Sequence, residues 1–291
     1  SNPLGGAGAP APHTRGGWRG GANAAAWRRA SGAAPPAAPP GAPPPAVPAV
    51  PAAKPPIPAA GASGRYTAAR NNFSRFASSG GSDRRSLGRA VSNYVSKSAG
   101  GSARAAQRMG SSRGAGAGLV RFLNAASTAG VREALRALNL ESLAGRPIEE
   151  VFAGLADYIC PEGGSIDEGI ARDAFIETIA DLAAAGITDL DGLTPAQIQT
   201  VCELYATHAI EARICNDIGA KVVTLPPDPR AAERVEAQSR DFIQRGVSDA
   251  VNASGVNIQA LSPDAVMGFV TDVYRAAFEV LQTLGDAEAE A

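Results

Sequence analysis

His208 is the only histidine beyond the N-terminal segment, and Cys202, Glu203, Glu211 and Cys215 surround it in the sequence. Imidazole, thiolate and carboxylate are the groups that hold zinc, and His208 and Glu211, three apart on a helix, would share a face. The wider set does not close, because one helix cannot bring Cys202, His208 and Cys215 onto a single tetrahedral centre. The spacing therefore reads as a buried or half-buried structural histidine. The acid pairs Glu149-Glu150 and Asp167-Glu168 fall where helices begin, and the positive end of the helix dipole accounts for them without catalysis. No GxxxxGK[ST], GxSxG or HExxH occurs, nor a GxGxxG in a strand-turn-helix setting. The chain reads as a non-enzyme that needs no cofactor or metal.

The stronger chemical signal is arginine. Residues 65–121 hold Arg65, Arg70, Arg75, Arg84, Arg85, Arg89, Lys97, Arg104, Arg108, Arg113 and Arg121 against a single acid, Asp83. Guanidinium forks suit phosphate oxygens and carboxylates equally well. Three destinations follow: a nucleic-acid backbone, an acidic partner surface, or the acidic helices of this same chain. Arg65, Arg70, Arg75, Arg84, Arg85, Arg89, Arg104, Arg108 and Arg113, with the interleaved aromatics Phe73, Phe76 and Tyr94, are the candidate contacts with a partner or polyanion. No recognised nucleic-acid-binding motif accompanies them.

This cluster belongs to a larger asymmetry. Residues 1–136 carry 18 Arg and Lys against Asp83 and Glu133, a net of +16, and residues 137–291 carry 9 against 26 acids, a net of -17. The overall charge of -1 conceals both. Helical patterns run through most of the chain after Arg65. Tyr66, Ala69, Phe73 and Phe76 recur at helical spacing, and a second segment starts at Ser82 or Asp83 with Leu87, Val91, Tyr94 and Val95 on one stripe. A Gly/Ser joint at 98–102 and a loosely specified stretch, ARAAQRMGSSRGAGAG, lead to a continuous helical pattern from Leu119.

The acidic half is punctuated more sharply. Pro147 opens a helix carrying Ile148, Val151, Phe152, Leu155 and Ile159. Ser165 and Glu168 form a capping box for a helix to about Ala185, with Ile170, Phe175, Ile179 and Leu182 inward. Thr194-Pro195 starts a long helix that turns Ile198, Val201, Leu204, Tyr205, Ala209 and Ile214 to the core and ends near Gly219. After LPPDP, a helix runs through Val235, Phe242, Ile243 and Val247. Ser262-Pro263-Asp264 caps the last, with Val266, Phe269, Val270, Val273, Ala277, Val280 and Leu281 inward and Phe278 flanking. KVVTL at 221–225 is one weak strand candidate. The body is all-α, an irregular multi-helix arrangement, divided by composition into a basic helical region at 65–136 and an acidic helical domain at 137–291.

Residues 1–64 pose a different problem. Fifteen of the 22 prolines lie in residues 1–60, where Leu4, Val47, Val50, Ile57, Trp18 and Trp27 are the only larger apolar residues. So little apolar surface cannot offset the entropy of ordering, and a disordered tail is expected. The Pro/Ala tract at 35–60 favours polyproline II, rising about 3 Å per residue as a semi-rigid stalk. It would carry a tip in which Trp18, Trp27, Arg28 and Arg29 are the candidate tail contacts. Three cysteines without CxxC spacing, no apolar run long enough to span a bilayer and no signal peptide place the chain in a reducing cytoplasm.

Several runs carry a family resemblance: GRYTAARNNFSRFASSGGSDRRSLGRAVSNYVSKSAGG, AAQRMGSSRGAGAG, and REALRALNLESLAGRPIEEVFAGLADYICPEGGSIDEGIARDAFIETIADL. Over residues 65–285 the chain resembles the QatB proteins of bacterial Qat anti-phage systems. The resemblance implies a non-enzymatic defence component. Its neighbours would be an ATPase, a QueC-like enzyme and a TatD-like nuclease, with the QueC-like enzyme attaching a deazaguanine group to an N-terminal glycine. The chain opens Ser1-Asn2, and Gly5 and Gly6 stand near its start without leading it, so no acceptor residue is carried over. The leading expectation is an adaptor that presents its tail to the QueC-like partner. The alternative is a nucleic-acid-binding subunit using residues 65–121.

Overall fold

Punctuation by caps and breakers sets the helices of this body. In the computed structural model, which describes residues 64–160, 164–187, 190, 192–219 and 225–290, they are α1 (Thr67–Ser78), α2 (Arg84–Asn93), a π-helical turn (Tyr94–Ala99), α3 (Ser102–Gln107), α4 (Gly110–Ala129), α5 (Val131–Ala137), α6 (Ile148–Ile159), α7 (Ile166–Ala184), α8 (Pro195–Ile218), α9 (Pro229–Ser254) and α10 (Ala265–Glu290). The described residues contain no strand. The expected tail, apart from Gly64, and the strand candidate, apart from Leu225, lie outside them, as do Trp18, Trp27, Arg28 and Arg29.

Several start signals act as expected, and α9 has a cap that the sequence reading of LPPDP as a break did not include. Asp83 accepts from the Ser86 amide at the head of α2. Ser165 with Glu168 and Thr194 with Gln197 form reciprocal capping boxes on α7 and α8, and Asp228 caps α9 with Pro229 at its first position. Each satisfies amides that the helix itself cannot pair, worth about 1 kcal/mol apiece.

The loosely specified stretch turns out to be ordered. The Gly/Ser joint narrows to Gly100 and Gly101, both at positive φ (85° and 103°), and beyond it the stretch forms α3 and the first half of α4, joined by a turn at Arg108 and Met109. Helix propensity argues against glycines at 110, 114, 116 and 118, but at Gly116 and Gly118 tertiary packing reverses that preference. A Cβ at Gly116 would stand 3.2 Å from the Tyr205 ring, and one at Gly118 would stand 2.9 Å from Ile159. Their absence lets α4 lie close against α8 and α6.

Helices from the basic and acidic segments are interleaved. The described residues form one compact unit in which α10 packs along α2 and α9 and also meets α3 and α4, while α8 packs on α7, α9 and α4 and touches α1. The α2–α10 seam is built on two glycines. A Cβ at Gly88 would stand 2.7 Å from the Gly285 carbonyl oxygen, and one at Gly285 would stand 2.6 Å from that of Gly88. The Ser92 hydroxyl donates to Asp286 at 2.5 Å beside this contact.

Besides the Phe73–Phe76 pair, two groups of three aromatic rings meet in the body. Tyr94 lies between Tyr66 and Phe278 with ring centroids 6.3 and 6.5 Å away, and Phe175 lies between Phe152 and Tyr205 at 5.5 and 5.9 Å. Full burial of one such ring contributes about 2 kcal/mol. Two inward assignments shift on α10. Phe278 and Tyr274 are buried in the core, whereas Phe269 and Val280 are only half-buried. On α7, Thr178 is fully buried and hydrogen-bonds to the Ala174 carbonyl, while Ile179 is half-buried. Leu204 on α8 is likewise half-buried.

Candidate functional site

The arginine-rich region meets the acidic half around one carboxylate. Asp217 sits in the last turn of α8, where the helix dipole disfavours negative charge. Cations and hydroxyls offset that cost. Arg108 reaches Oδ2 at 3.0 Å, Tyr94 donates to the same oxygen at 3.0 Å and Tyr66 at 3.3 Å, and Arg213 stands 3.9 Å from Oδ1. Arg213 also pairs with Asp167 at the start of α7 and donates to the Arg108 carbonyl. Asp167 takes the Ser111 amide at 2.8 Å as well. Asp167 therefore ties α7 to α4 and α8 in addition to complementing its own helix dipole.

Arg70 completes the seam by donating from Nε to the Ile218 carbonyl at 2.7 Å, satisfying an acceptor at the end of α8. Arg65 and Arg108 lie over the Tyr66 ring, at 4.9 and 5.9 Å from its centroid. Burial, reinforced by the Asp217 charge, pushes the Tyr66 and Tyr94 phenols above their ordinary values, so both stay protonated donors. The network holds the first described residues of the chain to the centre of the body.

The remaining candidate contacts divide. Phe73, Phe76 and Tyr94 are 2% exposed or less. The apolar face of α1 and α2 faces inward, which removes them from any surface offered to a partner. Arg84 pairs with Glu288 at 3.0 Å, Arg89 donates to the Ala289 carbonyl at 3.4 Å, and Arg113 donates to the Thr271 hydroxyl at 3.1 Å. Arg75, Arg85 and Arg104 are exposed without a hydrogen bond or ion pair among the described residues. Sequence reasoning missed Asp217, Arg213 and Tyr66 as a unit because its hydrogen-bonded members lie 123 and 151 residues apart. The one local signal was an acid placed at the unfavourable end of a helix.

His208 is 3% exposed, with Nε2 2.9 Å from the Asp181 carboxylate, so it is a satisfied structural histidine. Nearby, Glu211 accepts from Arg240 Nε at 3.1 Å. Burial raises the carboxyls of Glu211 and Glu236 above the ordinary glutamate value, and for Glu236 the neighbouring Glu211 adds to the rise. A raised carboxyl makes the folded state bind its proton more tightly than the unfolded chain does. Its stabilising share is therefore complete below about pH 4.3 and lost as pH rises through the folded value. Glu236→Gln is accordingly expected to raise the urea midpoint at pH 7, with the gain over the parent shrinking toward pH 4. A gain that stays constant with pH would remove burial of the charge as its cause.

The geometry thus describes a helical body whose ionic groups join its own elements. Among the described residues no group of three or more His, Cys, Asp and Glu could hold a metal ion, and no helix is long and apolar enough to cross a membrane. The chain belongs to the QatB family: the family model described as Qat anti-phage system associated protein QatB matches residues 100–281. It is therefore a component of an anti-phage defence system. The match begins at Gly100, so α1 and α2, which fall within the resemblance expected from residue 65 onward, lie outside it. Comparisons with curated proteins and with solved structures returned no match.

Proposed function

We propose that this protein is a non-enzymatic anti-phage adaptor, acting in the bacterial cytoplasm. Its N-terminal tail is presented to, and modified by, a QueC-like partner enzyme, while its helical body docks partner subunits, the ATPase and the TatD-like nuclease of the system among them. The observation that carries this reading is the anchoring of Tyr66. Its hydroxyl and ring are held by Asp217, Arg65 and Arg108, so the Pro-rich sequence before it departs from a fixed point on the body. With its base held, a semi-rigid stalk of polyproline character sets how far its tip reaches from the body.

The test is the intact mass of the chain with its native N-terminus, co-expressed with and without the QueC-like enzyme. An added mass in the N-terminal peptide is expected. Deleting residues 1–60 should abolish that modification and leave the far-UV helix signal almost unchanged. An unchanged mass beside an active partner would refute the modification. Under the alternative of nucleic-acid contact, duplex DNA would bind with an affinity that falls steeply with salt. That reading has Arg75, Arg85 and Arg104 free, whereas Arg70, Arg84, Arg89, Arg108 and Arg113 are engaged within the body.

A further inference from the structure

Helix α7 is apolar on both sides. Its inner side buries Ile170, Ala174, Phe175 and Leu182. Its outer side, which a surface helix normally reserves for charge, presents Ile166, Gly169, Asp173, Ile176, Ala180 and Ala184 as one exposed stripe. Ile166 is 67% exposed and Ile176 50%. At 1.5 Å per residue the stripe runs about 27 Å. The contrast with α9 is direct, since its outward positions include Arg234, Asp241, Arg245 and Asp249.

Charge along the stripe is one-sided. Asp173 and Glu177 are exposed and neither makes an ion pair among the described residues, whereas the nearby cation, Arg172, is engaged with Asp157 and with the Ala156 and Cys160 carbonyls of α6. Although Asp173 is exposed at the surface, partial desolvation by the packed helices, with Glu177 adding to it, raises its carboxyl, and Arg172 offsets only part of that rise. A cation brought against this face would therefore relieve an existing penalty. A second copy of the same face would bring two more carboxylates and increase it.

We infer that the outward face of α7 is a docking surface for an amphipathic helix of a different protein, with apolar residues at helical spacing over Ile166 and Ile176 and Lys or Arg beside Asp173 and Glu177. The inference rests on the reading of the helical body as a docking platform and names the surface it uses. Helix-in-groove recognition of this kind is anchored by a few apolar side chains, and flanking charge sets the choice of partner.

The experiment co-expresses the full chain with the other proteins of its Qat system and purifies the complex through a tag on this chain. Ile176→Asp and Asp173→Lys are each expected to lower the co-purified partner at least tenfold. Both positions are exposed, so the helix signal and melting temperature should hold. Val256→Asp, at an exposed apolar position just beyond α9 (40% exposed), should leave the complex intact. A photo-crosslinker at Ala180 should label a helical segment rich in Lys and Arg. A complex indifferent to Ile176→Asp and Asp173→Lys, or a crosslink to an acidic segment, would overturn the assignment of this face while the body still docks partners. No complex from the parent chain would refute the docking reading itself. A homodimer dissolved by Ile176→Asp would make a second copy the occupant and overturn the inference.

Discussion

Gly285→Ala is expected to destabilise the protein by about 2 kcal/mol, and Gly88→Ala by a similar amount. Alanine is the better helix former by about 1 kcal/mol, so propensity alone predicts the opposite sign. The added methyl meets backbone and cannot be relieved by a rotamer change. At position 285 it stands 2.6 Å from the Gly88 carbonyl oxygen and 3.1 Å from Ser92, and at position 88 it stands 2.7 Å from the Gly285 carbonyl oxygen. The helices must separate, which lengthens the Ser92–Asp286 bond and the Arg84–Glu288 pair on the same seam. Gly268 provides the internal control. It lies on α10, where an added methyl would have nothing within 4 Å, so Gly268→Ala should stabilise by up to about 1 kcal/mol. Urea unfolding of the three variants decides the matter, and stabilisation by Gly285→Ala would show that the two helices do not touch through their glycines.

Asp217→Ala is expected to cost about 3–5 kcal/mol, the range seen when one partner of a buried ionic group is removed. The loss leaves Arg108 and Arg213 facing each other without the anion between them and leaves the buried Tyr94 hydroxyl without its acceptor. Asp217→Asn should cost less, because the side-chain oxygen still accepts from a hydroxyl while the charge is gone. The effect should be largest at the start of the body, where Tyr66 relies on the same carboxylate. Hydrogen exchange in α1 should accelerate in Asp217→Ala before the rest of the body loses protection. Uniform loss across all helices would show that Asp217 supports the core as a whole and has no particular role in holding the base of the tail.

Much of the helical layout is legible because it is written locally. Asp83, Ser165 with Glu168, Thr194 with Pro195 and Asp228 with Pro229 each act on amides within three residues, and the 3.6-residue recurrence of Leu87, Val91 and Tyr94 reports which side is apolar. The stretch around Gly110–Gly118 misleads for the same reason. Its glycines lower local helix propensity, and only Tyr205 and Ile159, far along the chain, explain why glycine is needed there. Phe73, Phe76 and Tyr94 stand beside arginines in the manner of contact residues, yet burial assigns them to the core. Spacing identifies a face of a helix and leaves open whether solvent or another helix covers it.

The sequence by itself determined that this is an all-α protein with a Pro-rich leading segment and opposite charges on its two halves, since cap chemistry, periodicity and composition need no knowledge of distant residues. Tertiary structure decided where the charge goes. It placed Arg108, Tyr94 and Tyr66 on Asp217, set Arg84 on Glu288, and left Arg75, Arg85 and Arg104 outside. It also turned Ile166 and Ile176 outward on a helix that carries apolar residues on both of its sides. The physical reason is one of range. A cap or a helical stripe is set by neighbours a few residues away, whereas an ion pair or an uncovered apolar face depends on which distant helix packing brings alongside.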